Sequence, residues 1–144
     1  MSWLTPEEAK PFLQIHDDPH NDVLLQLVLT GTCQAIEEYI RRPVIARELV
    51  SYSDGGTDTV FLTPTVFEIS EVTENGIALA EADYALYPEQ GILRRRAGSR
   101  PGRWTSGLQS VVVRYTAGLV QTVEEVPANV KIAGLIAAKF YMMS

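Results

Sequence analysis

Residues 37–44, Glu-Glu-Tyr-Ile-Arg-Arg-Pro-Val, mark the point where the hydrophobic period of the chain changes. Before Pro43, apolar residues recur every three to four positions, which is typical of a helix. From Val44 onward they tend to alternate with polar residues, which is typical of strands. Proline disfavours the helical conformation in the residue before it, so we expect the helix to end near Arg41.

Two helices are expected before this point. Thr5 can cap a first helix over Pro6–Leu13, because Pro6 suits the first helical position and Glu8 is placed for a capping box. Asp18 can cap a second, long helix in the same way. The apolar stripe of that helix consists of Leu24, Leu27, Val28, Gly31, Ala35 and Tyr39, with Cys33 and Ile36 beside it.

The segment between residues 44 and 118 is rich in β-branched and aromatic residues. Asn75-Gly76 predicts a hairpin, because both residues tolerate a positive φ. Strands are expected at residues 47–52, 59–62, 66–73, 77–80, 84–87, 91–94 and 111–116. Those at 84–87 and 91–94 are interpreted as extending the small sheet of the hairpin. Residues 95–107 are predicted to be a loop, because Gly, Ser and Pro dominate their composition.

A last helix is expected from Pro127 or Ala128 to about Met142, and it is apolar on nearly all sides. Such a helix has to be buried on most sides. Consecutive strands joined by short turns imply antiparallel pairing. We therefore predict an α+β fold with one domain over residues 1–144. Its terminal helices (5–42 and 127–143) pack as a small bundle, and an antiparallel β-hairpin and small-sheet region (44–118) is inserted between them.

The charge of the chain is unevenly distributed. The formal net charge is −6, yet five of the 12 basic residues lie within residues 94–103, a segment without acid. A general nucleic-acid binder would have a basic face overall. We therefore interpret this segment as a contact for an acidic protein surface, which another copy would supply. DNA binding by the same arginines, in a small nucleic-acid-binding module, is the alternative.

The candidate interface residues come from two places. The first is the basic segment with its neighbouring tryptophan, a residue type that often anchors interfaces. The second is the end of the last helix, which is either core or a docking surface. The candidates are Arg94, Arg95, Arg96, Arg100, Arg103, Trp104, Phe140, Tyr141 and Met142.

No segment has the spacing expected of a catalytic site, and no cofactor is expected. Both histidines lie in one cluster, but Pro19 interrupts the helical spacing that would place them on one face. A metal-dependent enzyme is a further alternative, and helix capping is favoured over it. The cluster consists of His16, Asp17, Asp18, His20 and Asp22.

The apolar runs are shorter than the roughly 20 residues of a membrane span, so no membrane partner is expected.

The order of several short motifs resembles the head-tail connector (adaptor) proteins of tailed bacteriophages. The motifs are residues 10–15, Asp17-Asp18 before the long helix, Glu37-x-Tyr39 with Arg42-Pro43, residues 61–66, Trp104 before the strand at 111–116, and residues 115–118 before Val126-Pro127. Each motif is short, and the resemblance rests on their joint order across most of the chain.

This resemblance implies a structural virion protein without enzymatic activity. Copies would form a homo-oligomeric ring beneath the portal protein, assembled in the host cytoplasm and located in the neck of the virion. The ring would extend the DNA channel and contact a downstream neck or tail completion protein. Genomic DNA would pass through without sequence-specific binding, and an acidic body suits this because it repels phosphate. Gene transfer agents use similar parts.

Overall fold

The computed structural model describes residues 2–13 and 19–143. The helices are α1 (Pro6–Leu13), α2 (Pro19–Ile40) and α3 (Ala128–Met143). The strands are β1 (Arg47–Ser53), β2 (Thr59–Phe61), β3 (Val66–Glu74), β4 (Ile77–Ala78), β5 (Tyr84–Tyr87), β6 (Ile92–Ala97), β7 (Arg100–Pro101) and β8 (Val111–Ala117). The chain divides into a helical unit, Met1–Ile45 with Thr122–Ser144, and a β unit, Ala46–Gln121. The predicted α+β class is confirmed, whereas the single domain stays a prediction.

α1 begins at the expected capping box. The Thr5 N–H and hydroxyl donate to Glu8 Oε1 at 3.2 and 3.0 Å, and the Glu8 N–H donates to Thr5 Oγ1 at 3.3 Å. These bonds satisfy N–H groups that no helical carbonyl reaches. Lys131 Nζ donates to Glu8 Oε2 at 2.6 Å, which ties α3 to α1. Burial alone would raise the pKa of Glu8, but the bonds from Lys131 and Thr5 hold that pKa below its usual value.

α2 ends at Ile40 because the next residue turns the chain out of the helix. Arg41 has a φ of 61°, and the Arg42 N–H donates to the Glu37 carbonyl at 3.2 Å. A left-handed residue followed by this bond is the Schellman motif. The Glu37 carboxylate also accepts a bond from the Val44 N–H at 3.1 Å. Glu37 therefore holds both the end of the helix and the start of the extended chain.

The three helices pack on one another around an apolar core, so the predicted bundle is confirmed. Trp3 and Leu4 precede α1 and are buried against α3. Their close approach to α3 favours a glycine, because a Cβ at Gly134 would lie 2.7 Å from Leu4 Cδ1 and 3.1 Å from the Trp3 ring. Other buried residues of this core are Ala9, Leu25, Leu29, Cys33, Val44 and Ala138.

The first sheet of the β unit has the strand order β1-β8-β3-β4, and all its neighbouring strands are antiparallel. β8 lies inside this sheet, and Val111, Val113 and Tyr115 on one of its faces are buried. Asn75 and Gly76 connect β3 to β4 with φ angles of 53° and 79°. A type I′ turn requires positive φ at both positions, so the predicted hairpin is confirmed.

The second sheet corrects two predictions. β5 and β6 do not extend the hairpin sheet, because they pair with each other and β6 pairs with β2. Residues 95–107 are not simply a loop either, because β6 continues to Ala97 and returns after Gly98-Ser99 as β7. Gly98 has a φ of 68°, which suits the first position of a two-residue turn. Backbone pairing with β5 and β7 overrides a composition that is otherwise typical of loops.

The inner faces of the two sheets share one apolar core. Its buried members are Val60, Leu62, Val66, Val72, Leu93, Trp104, Val111, Val113, Tyr115 and Ala117. Tyr115 also accepts a bond on its hydroxyl from the Thr63 N–H at 2.9 Å, so its polar atom is satisfied inside the core. The outer faces of both sheets are left for other contacts.

Candidate interaction surfaces

Arg95 is a structural residue rather than a free surface cation. Its guanidinium donates to Glu74 Oε1 at 3.2 Å and to the Asp83 carbonyl at 2.9 Å. It also lies over the Trp104 ring, with Cζ 5.7 Å from the ring centroid. Because these contacts join β6 to the end of β3 and to the tryptophan, Arg95 links the two sheets.

Glu74 is the acceptor at the centre of this contact. Besides the bonds from Arg95, its Oε2 accepts a bond from the Thr105 N–H at 2.8 Å. Burial alone would raise the pKa of Glu74, but the bonds from Thr105 and Arg95 stabilise the carboxylate and lower that pKa below its usual value. The ion pair is mostly buried, with side-chain exposures of 20% for Arg95 and 11% for Glu74.

Trp104 is a core residue, which corrects its interpretation as an interface anchor. Its side chain is 1% exposed, and its indole N–H donates to the Leu93 carbonyl at 3.3 Å. Its backbone N–H and carbonyl also bond to Thr57 and Gly56. A large aromatic side chain gains more by filling the space between the sheets than by facing water.

Four arginines of the basic segment remain at the surface. Arg94, Arg96 and Arg100 are exposed and line a cleft of about 270 Å³, together with Asp58 and Tyr87. The fifth candidate, Arg103, is exposed and donates to the Gly56 carbonyl at 3.2 Å. The structure therefore separates the predicted cluster into three groups. Arg95 is mostly buried and paired with Glu74, Arg103 is exposed and bonded to backbone, and the other three are exposed around the cleft, which Arg95 also lines. Their role at an interface stays a prediction.

An apolar row beside these arginines was missed by sequence reasoning. Phe61, Ile92 and Tyr87 come from three strands and are direct neighbours across the second sheet. Phe61 is 76% exposed. The Arg94 guanidinium lies over the Tyr87 ring, with Cζ 5.6 Å from the ring centroid. No local pattern could reveal this row, because it exists only once the register of three strands is known.

α2 carries apolar residues on two faces. The face that packs in the bundle contains Leu25, Leu29 and Cys33, all fully buried. Much of the stripe that predicted the helix lies on the other side, where Leu24, Leu27 and Tyr39 are exposed. This exposed stripe is called the α2 face, and it consists of Val23, Leu24, Leu27, Gly31, Ala35 and Tyr39.

α3 also exposes apolar side chains, so the prediction that it is buried on most sides is wrong for the single chain. Its buried side is formed by small residues and Leu135, whereas Ile132, Ile136 and Phe140 are exposed. Tyr141 is exposed as well, and Met142 is partly buried. The docking role of Phe140, Tyr141 and Met142 stays a prediction, and these side chains lie where a partner can reach them.

The histidine–aspartate cluster lies largely outside the described residues. His16, Asp17 and Asp18 fall in the gap between residues 13 and 19, so the metal alternative stays untested there. Within residues 2–13 and 19–143, no group of three or more His, Cys, Asp or Glu is placed to hold a metal ion. In the same part of the chain, no helix is long and apolar enough to cross a membrane.

Comparison with known proteins finds no matching protein family and no matching curated protein. The fold is similar to a chain from the neck of an empty gene transfer agent particle computed with C6 symmetry. The TM-score is 0.75 at 19% identity, covering 98% of this chain and 78% of that chain. A chain from the virion of a native gene transfer agent particle has a TM-score of 0.71 at 19% identity, covering 98% and 81%. The expected likeness to head-tail connector proteins is thereby confirmed at the level of the fold.

Proposed function

We propose that this chain is a structural protein of a phage-like neck, where it acts as a head-tail connector. The observation that carries the proposal is the likeness in fold to a gene transfer agent neck chain, which extends over 98% of this chain. Both the helical unit and the β unit therefore take part in the likeness. A fold alone does not determine function, so the surfaces have to suit the role as well.

The exposed helix faces suit a subunit of an assembly. The α2 face and the Ile132–Ile136–Phe140 row of α3 place large apolar side chains in water. Contiguous exposed apolar patches usually mark interaction sites, because their burial against a partner is favourable. A connector in a particle neck contacts neighbours on several sides, which gives such faces a partner.

The finer role follows the resemblance drawn from the sequence. Copies of the chain would close into a homo-oligomeric ring beneath the portal protein and contact a downstream neck or tail completion protein. The ring would extend the channel for genomic DNA, which passes without sequence-specific binding. Assembly would take place in the host cytoplasm, as part of head completion and DNA packaging. The symmetry of the neck that contains the similar chain supports a cyclic arrangement.

Electron microscopy tests this proposal directly. The concentrated protein is imaged alone and mixed with its cognate portal protein. We expect rings, or an added ring-shaped layer on the portal. A chain that leaves the portal bare and forms no ring under either condition would overturn the connector role.

A surface variant links the same assay to the helix faces. Leu24→Ser with Leu27→Ser should leave the fold intact, because both side chains are already exposed, and should weaken ring formation or portal binding. Leu108→Ser is the matched control, since Leu108 is 94% exposed and lies in the β unit. If the double variant assembles as well as the control, the α2 face has no part in assembly.

A nucleic-acid-binding module is the second candidate, because three exposed arginines line one cleft. Phosphate contacts would make duplex DNA binding strongly dependent on salt. We expect no such binding at physiological salt. Salt-sensitive binding that is lost in an Arg94→Glu, Arg96→Glu variant would favour this second candidate over the connector role.

A further inference from the structure

The outer face of the second sheet combines an apolar row with positive charge. Phe61, Ile92 and Tyr87 form the row, and Arg94 and Arg96 lie beside it on the same strand face. Neither arginine has an ion-pair partner among the described residues. Exposed aromatic and arginine side chains on one surface are the composition of protein interface hot spots. These five residues are called the basic face.

The outer face of the first sheet has the opposite charge. Three rows cross it from β1 over β8 to β3. The rows are Glu48–Thr116–Glu68, Val50–Arg114–Glu71 and Tyr52–Val112–Thr73. Three acids surround one arginine, and Tyr52 is 58% exposed. The side chains of Glu48, Glu68 and Glu71 form no hydrogen bond or ion pair within the described ranges. This surface is called the acidic face.

We propose that the basic face of one copy docks on the acidic face of the next copy. The inference rests on the proposed connector function, and it names the partner of the predicted arginine contacts. The two faces match in layout, since each presents an aromatic side chain and an aliphatic neighbour with a charged region next to them, and their signs are opposite. Complementary potentials of this kind guide association and fix its register.

The position of the two faces determines the symmetry of the contact. They belong to different sheets whose inner sides share one core, so they lie on different surfaces of the β unit. A contact between two different faces is heterologous, and it repeats from copy to copy instead of ending in a two-fold dimer. Such a contact closes into a ring when the rotation per copy divides a full turn. The arrangement therefore permits the cyclic assembly that a connector needs.

A second copy fits the basic face better than DNA does. A phosphate backbone would satisfy Arg94 and Arg96, but it would leave the Phe61 and Tyr87 rings facing a polar strand. Arg95, the cation between them in sequence, faces inward and is already paired with Glu74. The acidic face offers both carboxylates and an aromatic ring, so it can cover both parts of the basic face.

Charge reversal in the full chain tests the contact. One variant carries Arg94→Glu with Arg96→Glu, a second carries Glu68→Arg with Glu71→Arg, and a third carries all four changes. Self-association is measured by sedimentation velocity at high protein concentration and low salt. We expect each double variant to associate at least about tenfold more weakly than the wild type. We expect the fourfold variant, and an equal mixture of the two double variants, to recover association.

The controls separate this contact from net charge and from the connector role. Glu89→Arg with Glu124→Arg makes the same change in net charge as the second variant, at exposed positions outside both faces, and should leave association unchanged. A wild type that stays monomeric at low salt, or double variants that associate like the wild type, would overturn the docking of these faces. Rings on the portal under those conditions would leave the connector role standing. Duplex DNA binding lost in the arginine variant, with self-association unchanged, would assign the basic face to DNA instead.

Discussion

At the scale of single residues, Glu74 connects three segments of the β unit through one carboxylate. We expect Glu74→Gln to lower the free energy of unfolding by about 1–3 kcal/mol at neutral pH, because the amide loses the ion pair with Arg95 and accepts the Thr105 bond more weakly. The pKa of Glu74 is lowered in the folded state. Its stabilisation is therefore present above the pKa of the unfolded carboxyl and is lost as the pH falls through the folded pKa. Urea unfolding at a series of pH values should show that the difference in free energy of unfolding between the wild type and Glu74→Gln becomes smaller in acid.

Glu71→Gln is the matched control for this prediction. Glu71 lies on the same strand, but its side chain is exposed and has no ion pair in the described residues. We expect its free energy of unfolding to change by less than about 0.5 kcal/mol. The two variants could lose the same free energy of unfolding, or the loss in Glu74→Gln could persist in acid. Either result would show that the Glu74 carboxylate does not stabilise the fold through these bonds.

Two helical glycines predict opposite effects of the same substitution. A Cβ at Gly31 of α2 meets nothing within 4 Å, so Gly31→Ala should raise the free energy of unfolding by about 0.5–1 kcal/mol through helix propensity. A Cβ at Gly134 of α3 would collide with the buried Trp3 and Leu4. Overpacking costs about 1–3 kcal/mol, so Gly134→Ala should lower the free energy of unfolding by up to about 2 kcal/mol. Urea unfolding of both variants measures the contrast, and stabilisation by Gly134→Ala would contradict the close packing.

At the scale of elements, the start of α1 depends on its capping box. Thr5→Ala should lower the free energy of unfolding by about 1 kcal/mol, because it leaves an N–H of the first helical turn without its hydroxyl acceptor. Thr122→Ala is the control. Thr122 makes the same hydroxyl bond to Glu125 at 2.9 Å, but it precedes only a short 3-10 turn at the surface. Thermal unfolding should show a smaller shift for Thr122→Ala, and equal shifts would remove any special role for the cap.

Sequence patterns predicted where the helices and strands lie better than which of their faces are buried. Periodicity located α2 to within a residue at its C-terminal end, because Pro43 and the 3.6-residue period agree there. It did not identify the buried side, because a helix with Leu24 and Leu27 on one face and Leu25 and Leu29 on the other has no single apolar direction. The burial of one face depends on α3 and on the segment before α1, which are distant in sequence.

The β6–β7 hairpin shows the same limit for strands. Arginines alternate in and out along β6, so Arg95 is buried against Trp104 while Arg94 and Arg96 face outward. Composition describes all three as one basic cluster. Only the pairing register of β6 with β5 distinguishes Arg95, which faces the core, from Arg94 and Arg96, which face outward. That register depends on contacts between residues distant in sequence.

At the scale of the whole molecule, the β unit can be expressed without the helical unit, because it is formed by one continuous segment of the chain. The β unit is a continuous segment, Ala46–Gln121, with ten buried core residues of its own. Its ends meet, since the Ala46 N–H donates to the Val120 carbonyl at 2.7 Å. We therefore expect residues 46–121, expressed alone, to fold cooperatively, because excision breaks no strand pairing and leaves the core complete. Amide dispersion in NMR spectra and a cooperative urea transition measure this.

A core substitution makes that experiment decisive. Leu93→Ala within the excised segment should lower its free energy of unfolding by about 2–5 kcal/mol, since Leu93 is fully buried between the sheets. The helical unit has no comparable continuous segment, because its core needs residues from both ends of the chain. Residues 1–45 alone should therefore stay largely unfolded, whereas the same residues joined to 122–144 by a glycine-serine linker should regain helical structure. An excised β segment without a cooperative transition, or one insensitive to Leu93→Ala, would mean that its core forms only with the helices present.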